Sequence, residues 1–248
     1  MGHHESEAAR TFATSSEEVA QLRTIHEDRS GIGKGRRDLE VLNKSGIVLL
    51  CAFWEAYCED VVDQALHHLL EHLQDPSALP EGLRKQIAKE LKDEKHDLSP
   101  WWLAGDGWKA HLRDRLTVLS QQRNRQWSNP SATKVDEWFE EALGIVKISD
   151  AWHWWRINTR MARRRLNLIV ALRNDIAHRG TTLKYVEKVR VTLALNHVRK
   201  VVEATDAKVA RELKSMTGVE PWSDLAPMEK RRGKPRRRDP VLLAKAGP

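Results

Sequence analysis

Two cysteines in 248 residues, Cys51 and Cys58, give the chain no disulfide framework to fold around. Seven residues apart on one helical stretch, they would lie about 10 Å apart along its axis, too far to bridge each other. As buried thiols they suit a reducing compartment. Paired Cys or His at zinc spacing is missing too, so neither a metal nor another cofactor is expected. His67, His68 and His72 fall at helical spacing, and a solvated helix face is preferred there over a metal site. No apolar run approaches the roughly 20 residues of a membrane span, and residues 1–6 have no basic-then-apolar leader layout. The expected location is the cytoplasm, without a membrane partner. Strand alternation is absent as well. Gly31-Ile32-Gly33-Lys34-Gly35 has the wrong spacing for a phosphate-binding loop and no strand before it, so it reads as a connector.

Charge is plentiful but unevenly placed. Apolar residues make up 40 % and charged residues 31 % of the chain, which suits a globular protein with a densely charged surface. From Glu229 onward eight cations face only Glu229 and Asp239, so this end carries +6 of the net +7. Pro227, Gly233, Pro235 and Pro240 interrupt it, and a disordered basic tail is expected. Arg231, Arg232, Arg236, Arg237 and Arg238 are its candidate RNA contacts, binding by counterion release without reading sequence. A merely solubilising terminus is the other reading.

Helical periodicity dominates the remainder. A first helix is expected from Ser15, where Ser15 and Glu18 have capping-box spacing, to about Arg29. A long one follows from about Arg37 to Leu73, apolar on nearly all sides from Ile47 to Glu55. Shorter helices are expected at Leu83–Lys95, Gly107–Arg125 and Val135–Leu143, the last ending at Gly144. Another spans Asn158 or Thr159 to His178, with Leu166, Ile169, Leu172 and Ile176 on its buried face and Gly180 as its stop. The last is expected at Thr182–Met216, with Val186, Val189, Leu193, Val198, Val201 and Val202 toward the core. Trp101, Trp102, Trp108, Trp127, Trp138, Trp152, Trp154 and Trp155 crowd the middle. Base stacking is one use for such rings, and packing between helices is the favoured one. The expected fold is an all-α antiparallel helical bundle with an inserted helical middle region. Its divisions are residues 1–35, a helical domain at 36–218, and the tail at 219–248.

Chemistry concentrates in Arg173-Asn174-Asp175-Ile176-Ala177-His178, followed by Arg179 and Gly180, at the end of an apolar helix. An imidazole titrates near neutrality and can move a proton. A planar guanidinium can hold a phosphate and stabilise its negative transition state. RNA brings its own nucleophile, the 2′-hydroxyl, so these two groups suffice in principle to cut it without a metal. On an ideal helix Asn174 and His178 share a face, whereas Arg173 lies about 140° from His178. One phosphate served by both therefore requires a distorted helix end or a second copy of the chain. The plainer reading is that Arg and His in a last turn satisfy free carbonyls and the helix dipole.

Arg173 to Gly180 resembles the Arg-x4-His signature of HEPN domains, best of the RiboL-PSP-HEPN type of prokaryotic stress and defence systems. Val48 to Asp60, with its Trp54-Glu55 pair, is similar to the family's early core helix. Asn129-Pro130 through Val135, Phe139, Leu143-Gly144-Ile145 and Ile148 resembles the segment before the motif helix. Together these blocks span about residues 40 to 200 in the expected order. The resemblance implies a helical bundle, a homodimer and metal-independent endoribonuclease activity, giving 2′,3′-cyclic phosphate and 5′-hydroxyl ends. Arg173 and His178 become the catalytic pair. Asn174 is the polar residue after the Arg, and Glu55 a carboxylate that orients the Arg or simply pairs on the helix surface. Arg179 either contacts RNA or caps the helix. A toxin or phage-defence role, with an antitoxin or regulatory partner, is the implied setting. Some HEPN domains instead serve as non-catalytic RNA-binding or protein-interaction modules.

Overall fold

A computed structural model describes residues 5–29, 36–93, 103–126, 130–179 and 185–222. Among them the protein is all-α, with helices α1 (Glu7–Arg29), α2 (Arg36–His72), α3 (Glu81–Asp93), α4 (Gly107–Gln126), α5 (Ala132–Leu143), α6 (Thr159–Arg179) and α7 (Lys188–Thr217). The Gly-rich connector, Gly180, and the expected tail from residue 223 on with its arginines lie outside the described residues. Residues 219–222, expected in that disordered tail, are instead ordered, with Pro221 buried and Trp222 packed against the core. None of the described helices is long and apolar enough to cross a membrane.

Helix α2 is the axis of the bundle, and α1, α4, α5, α6 and α7 all pack on it. Its sequence explains why. Ile47, Leu50, Cys51, Trp54, Tyr57, Cys58, Val61, Val62, Leu66 and Leu69 are all buried, so the apolar surface runs round the helix and needs neighbours on several sides. Both cysteines are buried free thiols. Trp54 donates its Nε1–H to the Pro130 carbonyl at 3.1 Å, and Trp152 donates to Thr205 Oγ1 at 2.8 Å. Each ring thus buries its area while its polar atom is satisfied.

The first helix begins eight residues before the expected Ser15 start, at Glu7. Ser6, not Ser15, is its cap: Ser6 Oγ accepts the Ala9 N–H at 3.0 Å. The same hydroxyl donates to the Asp206 carboxylate, and the Ser6 N–H donates to Asp206 Oδ2 at 3.1 Å. The Tyr57 hydroxyl approaches the same carboxylate at 3.4 Å. This buried cluster fastens α1 to α2 and α7. Burial pushes the Asp206 carboxyl above its ordinary range, and the bonds from Ser6 oppose that rise.

The last helix begins at Lys188 rather than Thr182, and its phase also differs from the expectation. Val191, Ala194, Leu195, Val198, Val201 and Val202 face the core, whereas Val189 and Leu193 are 56 % and 64 % exposed. Val186 is buried as expected, but in the segment before the helix, where its carbonyl accepts Asn43 Nδ2–H at 2.8 Å. That anchor delays the helix start and sets its phase. The histidine group is corrected too. His67 is exposed, but His68 is buried, with Nε2 3.2 Å from Thr217 Oγ1 and its ring centre 4.5 Å from that of His72. Burial, then the neighbouring His72, lowers the His68 pKa to about 4.

Helix α5 ends as its sequence indicates, at Gly144 in the left-handed region with φ of 70°. Glycine is required there twice, because an added Cβ would come within 2.7 Å of Pro80 Cβ.

Candidate functional site

Helix α6 carries the motif, and three neighbours fix its rotation. Asn158 Oδ1 caps its start by accepting the Met161 N–H at 2.9 Å. Toward α5, Arg163 Nη1 donates to Asp136 Oδ2 at 2.7 Å and to Ser149 Oγ at 2.5 Å. On the same side Asn167 Oδ1 accepts the Ala132 N–H at 2.8 Å. Toward α7, the Ala162 carbonyl meets His197 Nε2 at 3.0 Å. Leu166, Ile169, Val170 and Leu172 are buried, and Ile176 is packed partly into the same core.

With the helix so held, Arg173 faces α2. Its positive charge acts on both Cys51 and Glu55 of that helix, one turn apart on α2. Its Nη1–H donates to Asn174 Oδ1 at 3.2 Å, so Asn174 engages the guanidinium. Glu55 is half-buried, and burial raises its pKa while Arg173, then Lys134, opposes the rise. Burial pushes the Cys51 thiol to about 12, with Arg173 pulling it down and Glu55 adding to the rise. Cys51 is therefore a neutral thiol near neutral pH and no nucleophile.

His178 occupies the other side. It is exposed, and the backbone geometry directs it about 140° from Arg173. The structure links Arg173 with Asn174 and Glu55, while the exposed His178 shares the Asn174 side of the helix and points away from Arg173. Arg179 closes α6, and its side chain lies outside the described residues.

Sequence reasoning missed two participants. Lys134, at the start of α5, adds a second cation beside Glu55. The Asp136–Ser149–Arg163 cluster orients α6, with the Ser149 N–H and hydroxyl both donating to Asp136 at 2.8 Å. Trp155 is 79 % exposed, unlike the buried Trp54, Trp108, Trp138 and Trp152. For Asp136 a signal existed: a carboxylate between Val135 and Trp138-Phe139 on an amphipathic helix needs a buried partner. Trp101, Trp102 and Trp127 lie outside the described residues. No cluster of three or more metal-ligating side chains occurs among the described residues.

The family model for RiboL-PSP-HEPN matches residues 12–211. No curated protein and no solved structure matches the chain. The match runs from α1 through most of α7 and encloses the all-α bundle with its motif helix. The chain belongs to the RiboL-PSP-HEPN family.

Proposed function

We propose that the protein is a metal-independent endoribonuclease. Support comes first from one observation: a half-buried Arg173, held by Asn174 and Glu55, and an exposed His178 close the same helix in a RiboL-PSP-HEPN chain. In this reading His178 transfers the proton, either from the 2′-hydroxyl or to the leaving 5′-oxygen. Arg173 stabilises the negative charge gathered on the phosphorus centre. Glu55 and Asn174 set the direction of the guanidinium. The 2′-oxygen bonds to phosphorus as the P–O5′ bond breaks, leaving a 2′,3′-cyclic phosphate and a 5′-hydroxyl.

Because Arg173 and His178 diverge, the working site is composed from two copies of the chain. The outer face of α7 offers a surface for this. Val189 and Leu193, one turn apart on α7, are each more than half exposed there, apolar area that association would bury. The biological setting we infer is a toxin or phage-defence effector that cuts RNA and is restrained by an antitoxin or regulatory protein.

The test is RNA cleavage by the purified protein in EDTA, wild type beside His178→Ala, with product ends identified. Cyclic-phosphate ends from the wild type alone are expected. Equal cleavage by the variant would refute the assignment. The basic tail favours a second reading, a non-catalytic RNA-binding module. That reading predicts salt-sensitive binding lost on removing residues 229–248, with the RNA left intact.

A further inference from the structure

We infer that the outer face of α6 is a track for single-stranded RNA, beginning at a stacking platform formed by Trp155 and Arg156 and ending at His178. The inference rests on the ribonuclease reading for its ligand and extends it with a binding site of its own.

The platform is built by a tight turn. Trp154 and Ile157 exchange both backbone hydrogen bonds, Trp154 N–H to Ile157 O at 3.0 Å and Ile157 N–H to Trp154 O at 2.8 Å. Their side chains pack against the core, and the Trp154 ring lies 5.4 Å from that of His197. Arg156 takes a φ of 62°, an uncommon conformation for a residue with a Cβ. The result places Trp155 outward, 79 % exposed, beside three inward-facing neighbours of the same loop. The Arg156 guanidinium covers one face of the indole at 4.1 Å from the ring centre. An indole backed by a cation and open on its other face is suited to a nucleobase, since stacking needs a flat ring and no particular base.

From this turn the chain enters α6 directly. Arg160, Arg164, Ala171 and His178 fall within about 40° of one another on the helix, over a length of about 27 Å. Arg160 and Arg164 are exposed, and neither takes part in an ion pair among the described residues. The only acid on α6, the exposed Asp175, lies about 60° round from His178 at the edge of this face. Two guanidinium groups outside any ion pair among the described residues suit phosphates, Asn167 and Ala171 lie exposed between them and His178, and His178 stands at the far end. Charge favours a polyanion, and the exposed indole narrows the polyanion to one that carries bases.

The experiment measures binding of a fluorescently labelled uridine oligomer of roughly ten nucleotides to the full chain carrying His178→Ala, so that cleavage plays no part. Adding Trp155→Ala is expected to weaken binding roughly tenfold, with Trp155→Phe restoring most of it. Arg160→Glu with Arg164→Glu is expected to weaken it and to flatten its salt dependence. The basic tail is present in every variant, so the ratio reports the platform. Trp155 is outside the core, so unchanged circular dichroism is expected throughout. Unaltered affinity in Trp155→Ala would overturn the track while leaving the nuclease reading intact. An equal Trp155-dependent loss with polyglutamate, which has charge but no bases, would overturn it in favour of an acidic protein partner. A chain that binds RNA through Trp155 yet never cuts it would support the track and remove the nuclease reading.

Discussion

Arg163 and Arg173 stand on one helix, ten residues apart, and have opposite kinds of surroundings. Arg163 is enclosed by Asp136 and Ser149 at ordinary or short hydrogen-bond distances, and the Ser149 amide completes the same cluster. Each polar group there has its partner, which is how a structural ion pair remains in place. Arg173 instead shares a longer bond with Asn174 and faces Glu55, a carboxylate that burial holds above its usual pKa. In the proposed function that guanidinium serves an incoming phosphate. The difference teaches that the number of arginines on α6 means little by itself. What surrounds each one separates the structural Arg163 from the proposed reagent Arg173.

The comparison breaks most visibly under substitution of the proposed reagents. His178→Ala is expected to lower RNA cleavage by about 10²–10⁴-fold, with the melting temperature unchanged because the residue is exposed. Arg173→Ala is expected to fall in the same class by loss of charge stabilisation; full activity in either variant would end the distinction drawn here. Arg163→Ala should do the reverse. It leaves Asp136 buried without its cation, at a cost of about 3 kcal/mol in chemical denaturation, while activity per folded molecule falls far less than in the two variants above. Gly144→Ala sharpens the structural side, since it strains the cap of the helix that presents Asp136. A loss of about 1–2 kcal/mol is expected from the left-handed backbone alone, with the Pro80 contact adding to it.

A pH-dependent effect concerns α2, which presents Glu55. His68 on that helix has its pKa lowered from 6.5 to about 4, so the fold favours its neutral form. Its contribution to stability is whole above pH 6.5 and is lost as pH falls through about 4. Melting temperatures measured across that window should decline in the wild type and decline less in His68→Gln. Identical slopes would remove His68 as the cause.

Much of this arrangement was legible in residue order. The apolar girth of Ile47 to Glu55 marked α2 as the central helix, and the 166-169-172-176 spacing marked the buried face of α6. The Gly144 cap and the Arg173–His178 divergence also followed from helix geometry. What escaped was set by distant partners. Nothing near Ser6 announces that Asp206, two hundred residues away, requires its donors. The Asn43 side chain takes the Val186 carbonyl and so moves the start of α7, turning Val189 and Leu193 outward against their apolar character. The outward Trp155 depends on one left-handed residue, which no local pattern demanded.

The Ser6–Asp206 fastening bears on where the protein can be trimmed. A fragment cut to residues 12–211, the span matched to the family, would discard both donors that Ser6 supplies and leave the buried Asp206 to the distant Tyr57 hydroxyl. At the other end it would remove the buried Leu213 and the Thr217 hydroxyl that meets His68. The packed bundle of this chain reaches beyond both ends of the matched span.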